Sequence, residues 1–172
     1  MDFSKLVNER ESVRSYDPNR PVPKNILIKI LDAARIAPSA ANKQPWKFIV
    51  LSSPEVLEKV RKSYVRPWFC NAPHVLAVVG NKSSAWVRSY DKYCSIETDL
   101  AIALTHIILA ATNEGVATCW ISNFDPHILR KALKMSDDEV VFGITPLGYP
   151  QADYKHKEKK ERKNLEEVVE WR

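Results

Sequence analysis

Apolar positions along this chain recur with two periods, and each switch between them marks a change of element. From Pro23, the residues Ile26, Leu27, Ile30, Leu31 and Ala34 keep the three-and-four spacing of an amphipathic helix that runs to Ala37, with Pro23 suited to its first turn. Upstream, a short opening helix at Ser4 to Asn8 gives way to Glu9-Arg10-Glu11-Ser12-Val13-Arg14-Ser15-Tyr16, where charged and apolar side chains alternate at a period of two. Arg10, Ser12 and Arg14 therefore share one side of an extended segment. Downstream, Trp46 to Leu51 reads as a strand, and Ser53-Pro54-Glu55 opens a further helix capped by Ser53.

Val75-Leu76-Ala77-Val78-Val79-Gly80 is continuously apolar and rich in β-branched residues, which predicts a strand buried on both faces in the middle of a sheet. The longest helix is expected over Ile96 to Asn113. It is apolar on nearly all sides between Leu100 and Ala111, so it must be buried centrally or against another subunit, and Gly115 stops it. Val116 to Ile121 is the next strand, Pro126 opens a helix to Lys134, and Glu139 to Thr145 is a strand leading into Pro146-Leu147-Gly148-Tyr149-Pro150. Helices alternate with strands without an internal repeat, which predicts one layered α and β domain over residues 1–172.

Composition narrows the class. At 172 residues and 45% hydrophobic content, the chain can bury a substantial core. No apolar run reaches the roughly 18 residues needed to cross a bilayer, and the start, Met1 to Lys5, lacks the features of a signal peptide, so no membrane association and a cytoplasmic location are expected. Cys70, Cys94 and Cys119 are odd in number and widely spaced, which predicts reduced, buried thiols. Cys70 and His74 stand four apart without further ligands, so no metal is assigned. The net charge of +5 admits a nucleic acid, with Lys155, Lys157, Lys159, Lys160, Arg162 and Lys163 crowding one stretch. No aromatic residues interleave with them as base stacking requires, and the run reads as a solvated tail, with a basic nucleic-acid-binding module as the rival reading.

Two segments carry candidate chemistry. The loop Ala37-Pro38-Ser39-Ala40-Ala41-Asn42-Lys43-Gln44-Pro45-Trp46 is bracketed by prolines, with the backbone expected to be extended before Pro45. Its Ser, Asn and Gln side chains suit the polar edge of a flat heterocycle. Arg10-x-Ser12-x-Arg14 places two guanidinium groups and a hydroxyl on one side of the chain, a compact site for a phosphate or another electron-rich group. The four glycines form neither GxGxxG nor GxxxxGK[ST], no GxSxG elbow exists, and His106 reads as a satisfied core histidine.

Taken in order, Arg10 to Asp17, Ala33 to Trp46, Gly115 to Ile121, Pro146 to Pro150 and Arg162 to Val169 resemble the nitroreductase family of flavoproteins over nearly the whole chain. The resemblance implies an α+β, three-layer fold with a central mixed, mostly antiparallel β-sheet flanked by helices. It also implies an intertwined homodimer with FMN at the interface. Arg10, Glu11, Ser12 and Arg14 would lie on the flavin's phosphate, ribityl chain and pyrimidine edge, with Arg14 nearest N1 and O2. Pro38, Ser39, Ala40, Asn42 and Gln44 would reach it, Ser39 and Asn42 coming from the partner subunit. Pro146, Leu147 and Gly148 would lie by the ring, a backbone amide bonding N5, and Lys160 and Arg162 would close over the phosphate. No side chain is assigned as an acid or base. The implied activity is ping-pong electron transfer from NADH or NADPH to a nitroaromatic, quinone or similar small acceptor. Reductive dehalogenation, flavin fragmentation and non-catalytic FMN binding are the alternatives. Trp68, Phe69 and Trp86 are candidates for the substrate site or for packing.

Overall fold

The computed structural model describes residues 2–157 and 160–172. Four strands form one sheet in the order β1-β2-β4-β3, where β1 is Trp46–Leu51, β2 His74–Asn81, β3 Ala117–Thr118 and β4 Glu139–Gly148. All three pairings are antiparallel. β2 is buried from His74 to Gly80 and its side chains alternate between two helical layers. Leu76 and Val78 face a core shared with α2 (Lys24–Arg35) and α5 (Ile96–Asn113), whereas Val75, Ala77 and Val79 face one shared with α3 (Pro54–Arg61) and α6 (Pro126–Leu133). The two remaining helices, α1 (Phe3–Glu9) and α4 (Pro67–Cys70), flank these layers.

α5 occupies the span expected of it. Leu100, Ala103, Leu104, Ile107 and Ala111 are fully buried, and each large apolar side chain among them contributes about 1.5–3 kcal/mol on burial. The sheet lets α5 approach because Gly80 and Gly143 face it: a Cβ on Gly80 would stand 2.6 Å from Leu100 Cδ1, and one on Gly143 3.1 Å from Leu104 Cδ2. At the far end Gly115 takes a left-handed φ of 70° and Val116 N–H donates back to the Ala111 carbonyl at 2.8 Å, closing the helix. Among the described residues no helix is long and apolar enough to cross a membrane.

Several expectations change. Ser53 holds the cap position of α3 but its side chain makes no capping bond. The strand expected over Val116 to Ile121 shortens to Ala117–Thr118 plus an isolated bridge between Ile121 and Ile144, while β4 continues through Pro146 to Gly148. Cys119 is buried, Cys94 half-buried and Cys70 exposed, and all three are free. Phe69 is fully buried in the core, Trp68 stacks on Tyr16 with ring centroids 6.2 Å apart, and Trp86 is half-buried; none of the three lines a cavity among the described residues. Of the basic stretch, Lys159 lies outside the described residues.

His74 does not join Cys70 at a metal; among the described residues no group of His, Cys, Asp and Glu side chains is placed to hold one. Its Nε2 accepts the Val22 N–H at 3.0 Å, so Nδ1 carries the proton and meets Ser52 Oγ at 2.7 Å. With Nε2 engaged, the ring has no lone pair to activate Ser52, and the pair is a structural pin rather than a nucleophile and its base. Burial holds the His74 pKa below the ordinary imidazole range. The unfolded chain therefore takes up this proton first: the neutral ring's contribution is complete above about pH 6.5 and is lost as the pH falls from there through the lower folded value.

Two measurements check this account. Stability to denaturant is expected to decline from pH 7 toward pH 5, and His74→Leu, which leaves the Val22 N–H unpaired at a cost of about 1–3 kcal/mol, should flatten that decline; an unchanged slope in the variant would contradict the assignment. Gly148→Ala tests close packing, because its Cβ would stand 2.8 Å from Pro73 Cδ and 3.1 Å from Tyr16 Cδ1. Thermal unfolding should show a loss of about 1–3 kcal/mol, and wild-type stability would refute the contact.

Candidate cofactor-binding site

The extended segment after α1 lies along the free edge of the sheet. Val13 N–H donates to the Thr118 carbonyl of β3 at 2.9 Å, and the Tyr16 hydroxyl turns back to the Val13 carbonyl at 2.9 Å. This fixes the alternation read from the sequence. Glu11, Val13 and Tyr16 are buried; Arg10 and Ser12 are half-buried and Arg14 is exposed. The outward row faces a cavity of about 440 Å³ lined by Arg10, Glu11, Ser12, Arg14, Lys157, Lys160, Glu161 and Arg162. Arg10, Ser12, Arg14, Lys160 and Arg162, separated by nearly the whole chain, are thus brought together. Among the described residues neither Arg10 nor Arg14 is ion-paired with a carboxylate, so both cations remain available to an anion.

Other groups shape this cavity. The Lys160 ammonium is engaged by the carbonyls of Asn8 and Arg10 at the end of α1, and burial beside Arg10 lowers its pKa. Glu11 turns away from the arginine row: its carboxylate takes His156 Nδ1 at 2.5 Å and the Lys157 N–H at 3.2 Å. Burial pushes the Glu11 pKa up, but the bonds from Lys157, His156 and Tyr154 more than reverse this and hold it below the ordinary carboxylate range. Beneath Ser12 and Arg14 lies the Cys119 thiol, whose pKa burial raises against the opposing pull of Arg14 and Ser12.

The loop from Pro38 to Gln44 is built as a rigid, solvent-facing element. Its backbone does not run extended into Pro45: Ala41, Asn42 and Gln44 have φ of 47°, 54° and 48°. Side-chain bonds hold this unfavourable geometry, each such residue costing on the order of 1–3 kcal/mol. Gln44 N–H donates to Ser39 Oγ at 2.9 Å, and Gln44 Nε2 donates to both the carbonyl and Oδ1 of Asn42 at 3.1 Å. Asp99, a buried acid in the first turn of α5, accepts the Ala40 N–H at 2.9 Å and the Ser95 hydroxyl at 2.8 Å. Sequence reading missed Asp99, although an acid inside a helix so apolar is a signal that it has fixed partners. His106, as expected, is satisfied structurally, its Nδ1 lying 3.1 Å from the Ala33 carbonyl.

Loop and arginine row meet different parts of α5. Ala40 is fastened to Asp99, while Thr105 and Ile108 share a small cavity with Arg10 and Ser12, about 9–14 Å further along the helix axis. No cavity among the described residues is lined by both. Pro146, Leu147 and Gly148 are not brought to the arginine row either. They are buried within β4, where Leu147 pairs with His74 on one side and Thr118 on the other, and Gly148 is closed in by Pro73 and Tyr16 rather than turned by a positive φ. Within one chain these three are structural.

The sequence matches the Nitroreductase family over residues 7–66 and 60–149. The crystal structure of a nitroreductase family protein from Clostridium difficile 630 is similar with a TM-score of 0.91 and 34% identity, covering 99% of this chain and 98% of that one. A protein of Archaeoglobus fulgidus provisionally named NADH dehydrogenase/NAD(P)H nitroreductase is 31% identical over 168 residues, 95% of this chain and 94% of its own. An iodotyrosine deiodinase of Danio rerio is 27% identical over 198 residues, taking in 97% of this chain and 66% of its own. The fold, the outward arginine row and these matches together show that the chain belongs to the nitroreductase family and is an oxidoreductase.

Proposed function

We propose that the protein is an FMN-dependent oxidoreductase that takes electrons from NADH or NADPH and passes them, in a ping-pong cycle, to a nitroaromatic, quinone or similar small acceptor. The observation that carries this reading is the cavity of about 440 Å³ in which Arg10, Ser12, Arg14 and Arg162 converge with two guanidinium groups free of carboxylates. Its donor set fits a phosphorylated flavin, and its volume lies within the roughly 300–1,000 Å³ typical of ligand sites. Bound there, FMN would supply the hydride chemistry, accepting two electrons and returning them.

The chain's own residues bind and tune. Arg10 and Arg162 neutralise phosphate, the Ser12 hydroxyl meets the ribityl chain, and Arg14 favours negative charge at the pyrimidine edge. The Pro38 to Gln44 loop offers its Ser39 and Asn42 side chains to the flavin of a second copy of this chain, in a homodimer with the cofactor at the interface. The separation of loop and arginine row along α5 supports that arrangement. A reductive dehalogenation is the second reading, supported by the similarity to the Danio rerio deiodinase.

Purified protein should carry FMN, identified by chromatography of the released chromophore, and its visible absorption should bleach on anaerobic NADH or NADPH. Flavin that stays oxidised would contradict the reductase reading. Turnover with a nitroaromatic in preference to a halophenol separates the two acceptor classes. Arg10→Ala with Arg162→Ala should leave the fold intact by circular dichroism and weaken FMN binding by about a hundredfold or more, as loss of two charge-assisted contacts implies. Full FMN retention in that variant would remove the phosphate assignment.

A further inference from the structure

Resting on the flavin-phosphate reading of the cavity, we propose that Glu11 is a positioning residue that latches a C-terminal strap, Tyr154 to Lys157 with Lys160 to Arg162, over the arginine row and so sets how tightly a phosphorylated ligand is held. The strap carries Lys160 and Arg162 to the cavity from the far end of the sequence, and three of its groups converge on this single carboxylate. His156 Nδ1 lies 2.5 Å from Glu11 Oε1 and the Lys157 N–H 3.2 Å from Oε2, while the Tyr154 hydroxyl bonds the same carboxylate. Glu11 is only 9% exposed, and a carboxylate so placed is costly to bury unless its lone pairs are filled. Here the strap fills them.

Little else fastens these residues. Tyr154 packs partly on the small core of Val13 and Tyr16, but Lys155, His156 and Lys157 are exposed. Behind them lies a second cavity of about 620 Å³ between α1 and the end of α5, and Glu11, Lys157 and Lys160 line this cavity as well as the arginine one. The latch is therefore the wall between two open spaces, held by polar bonds rather than by apolar packing. Lys160 supports it from the other end through the carbonyls of Asn8 and Arg10. An anion is a poor direct ligand for phosphate, and the bonds of Glu11 are directed to the strap. Its contribution to binding runs through the position of Arg162.

Glu11→Gln keeps the shape and removes the charge. Its affinity for FMN should fall about tenfold to a hundredfold, while affinity for riboflavin, which lacks the phosphate, stays within about twofold of wild type. A residue needed only for the fold would weaken both flavins alike, and that result, or unchanged FMN affinity, would overturn the proposal. His156→Ala, at an exposed side chain, should shift the FMN-to-riboflavin ratio in the same direction and guards against failure of the first variant to fold. A readout without cofactor is amide hydrogen exchange over residues 150–163 of the apoprotein, expected to speed up in both variants. Unchanged exchange would overturn the latch. If wild-type protein binds no FMN, the flavin reading fails on its own terms and the exchange result alone decides whether Glu11 holds the strap.

Discussion

Helix α5 is the constraint on which the remaining structure depends. An 18-residue helix with apolar side chains around most of its circumference is driven out of water on nearly every side, and the fold is the arrangement that achieves this. The sheet supplies Gly80 and Gly143 where α5 approaches most closely, and α2 covers another face. Once α5 is fixed, the elements that touch it are fixed as well. Asp99 in its first turn positions the Pro38 to Gln44 loop, while Thr105 and Ile108 bound a small cavity beside Arg10 and Ser12. One buried helix thereby sets the spacing between the two polar parts of the site.

The electrostatics of the arginine row follow from the period of two. An extended segment on the edge of a sheet sends alternate side chains to opposite sides, so the anion Glu11 and the cations Arg10 and Arg14 are neighbours in sequence yet face different surroundings. Inside, Glu11 is saturated by donors from the strap. Outside, the guanidinium groups are left without carboxylate partners. An otherwise neutral stretch thus presents concentrated positive charge to one cavity and stores its negative charge against the tail.

The layers were legible because their signals are strong and local. β1 and α5 occupy the spans read from the apolar pattern, and β2 extends its predicted span by one residue at each end. Failures came where tertiary contacts override local preference. Gln44 precedes a proline and was expected to be extended, but bonds to Ser39 and Asn42 hold it at positive φ. Pro146, Leu147 and Gly148 sit at the end of an apolar run, and nothing in their composition shows that β4 carries them between two neighbouring strands. Of the site, Arg10, Ser12 and Arg14 could be grouped from spacing alone, and the resemblance to a flavoprotein family added Lys160 and Arg162. The grip of Tyr154, His156 and Lys157 on Glu11 spans more than 140 residues of sequence and has no local signature.

Because α5 holds the loop and the arginine row apart within one chain, a complete flavin site needs two copies. Sedimentation followed at the flavin's visible absorbance, on protein loaded with FMN, measures the mass of the species that holds the cofactor. The account predicts that flavin sediments with a species of twice the 19.7 kDa chain mass and is released when dilution separates the subunits. FMN bound in full to a single 19.7 kDa chain would contradict it.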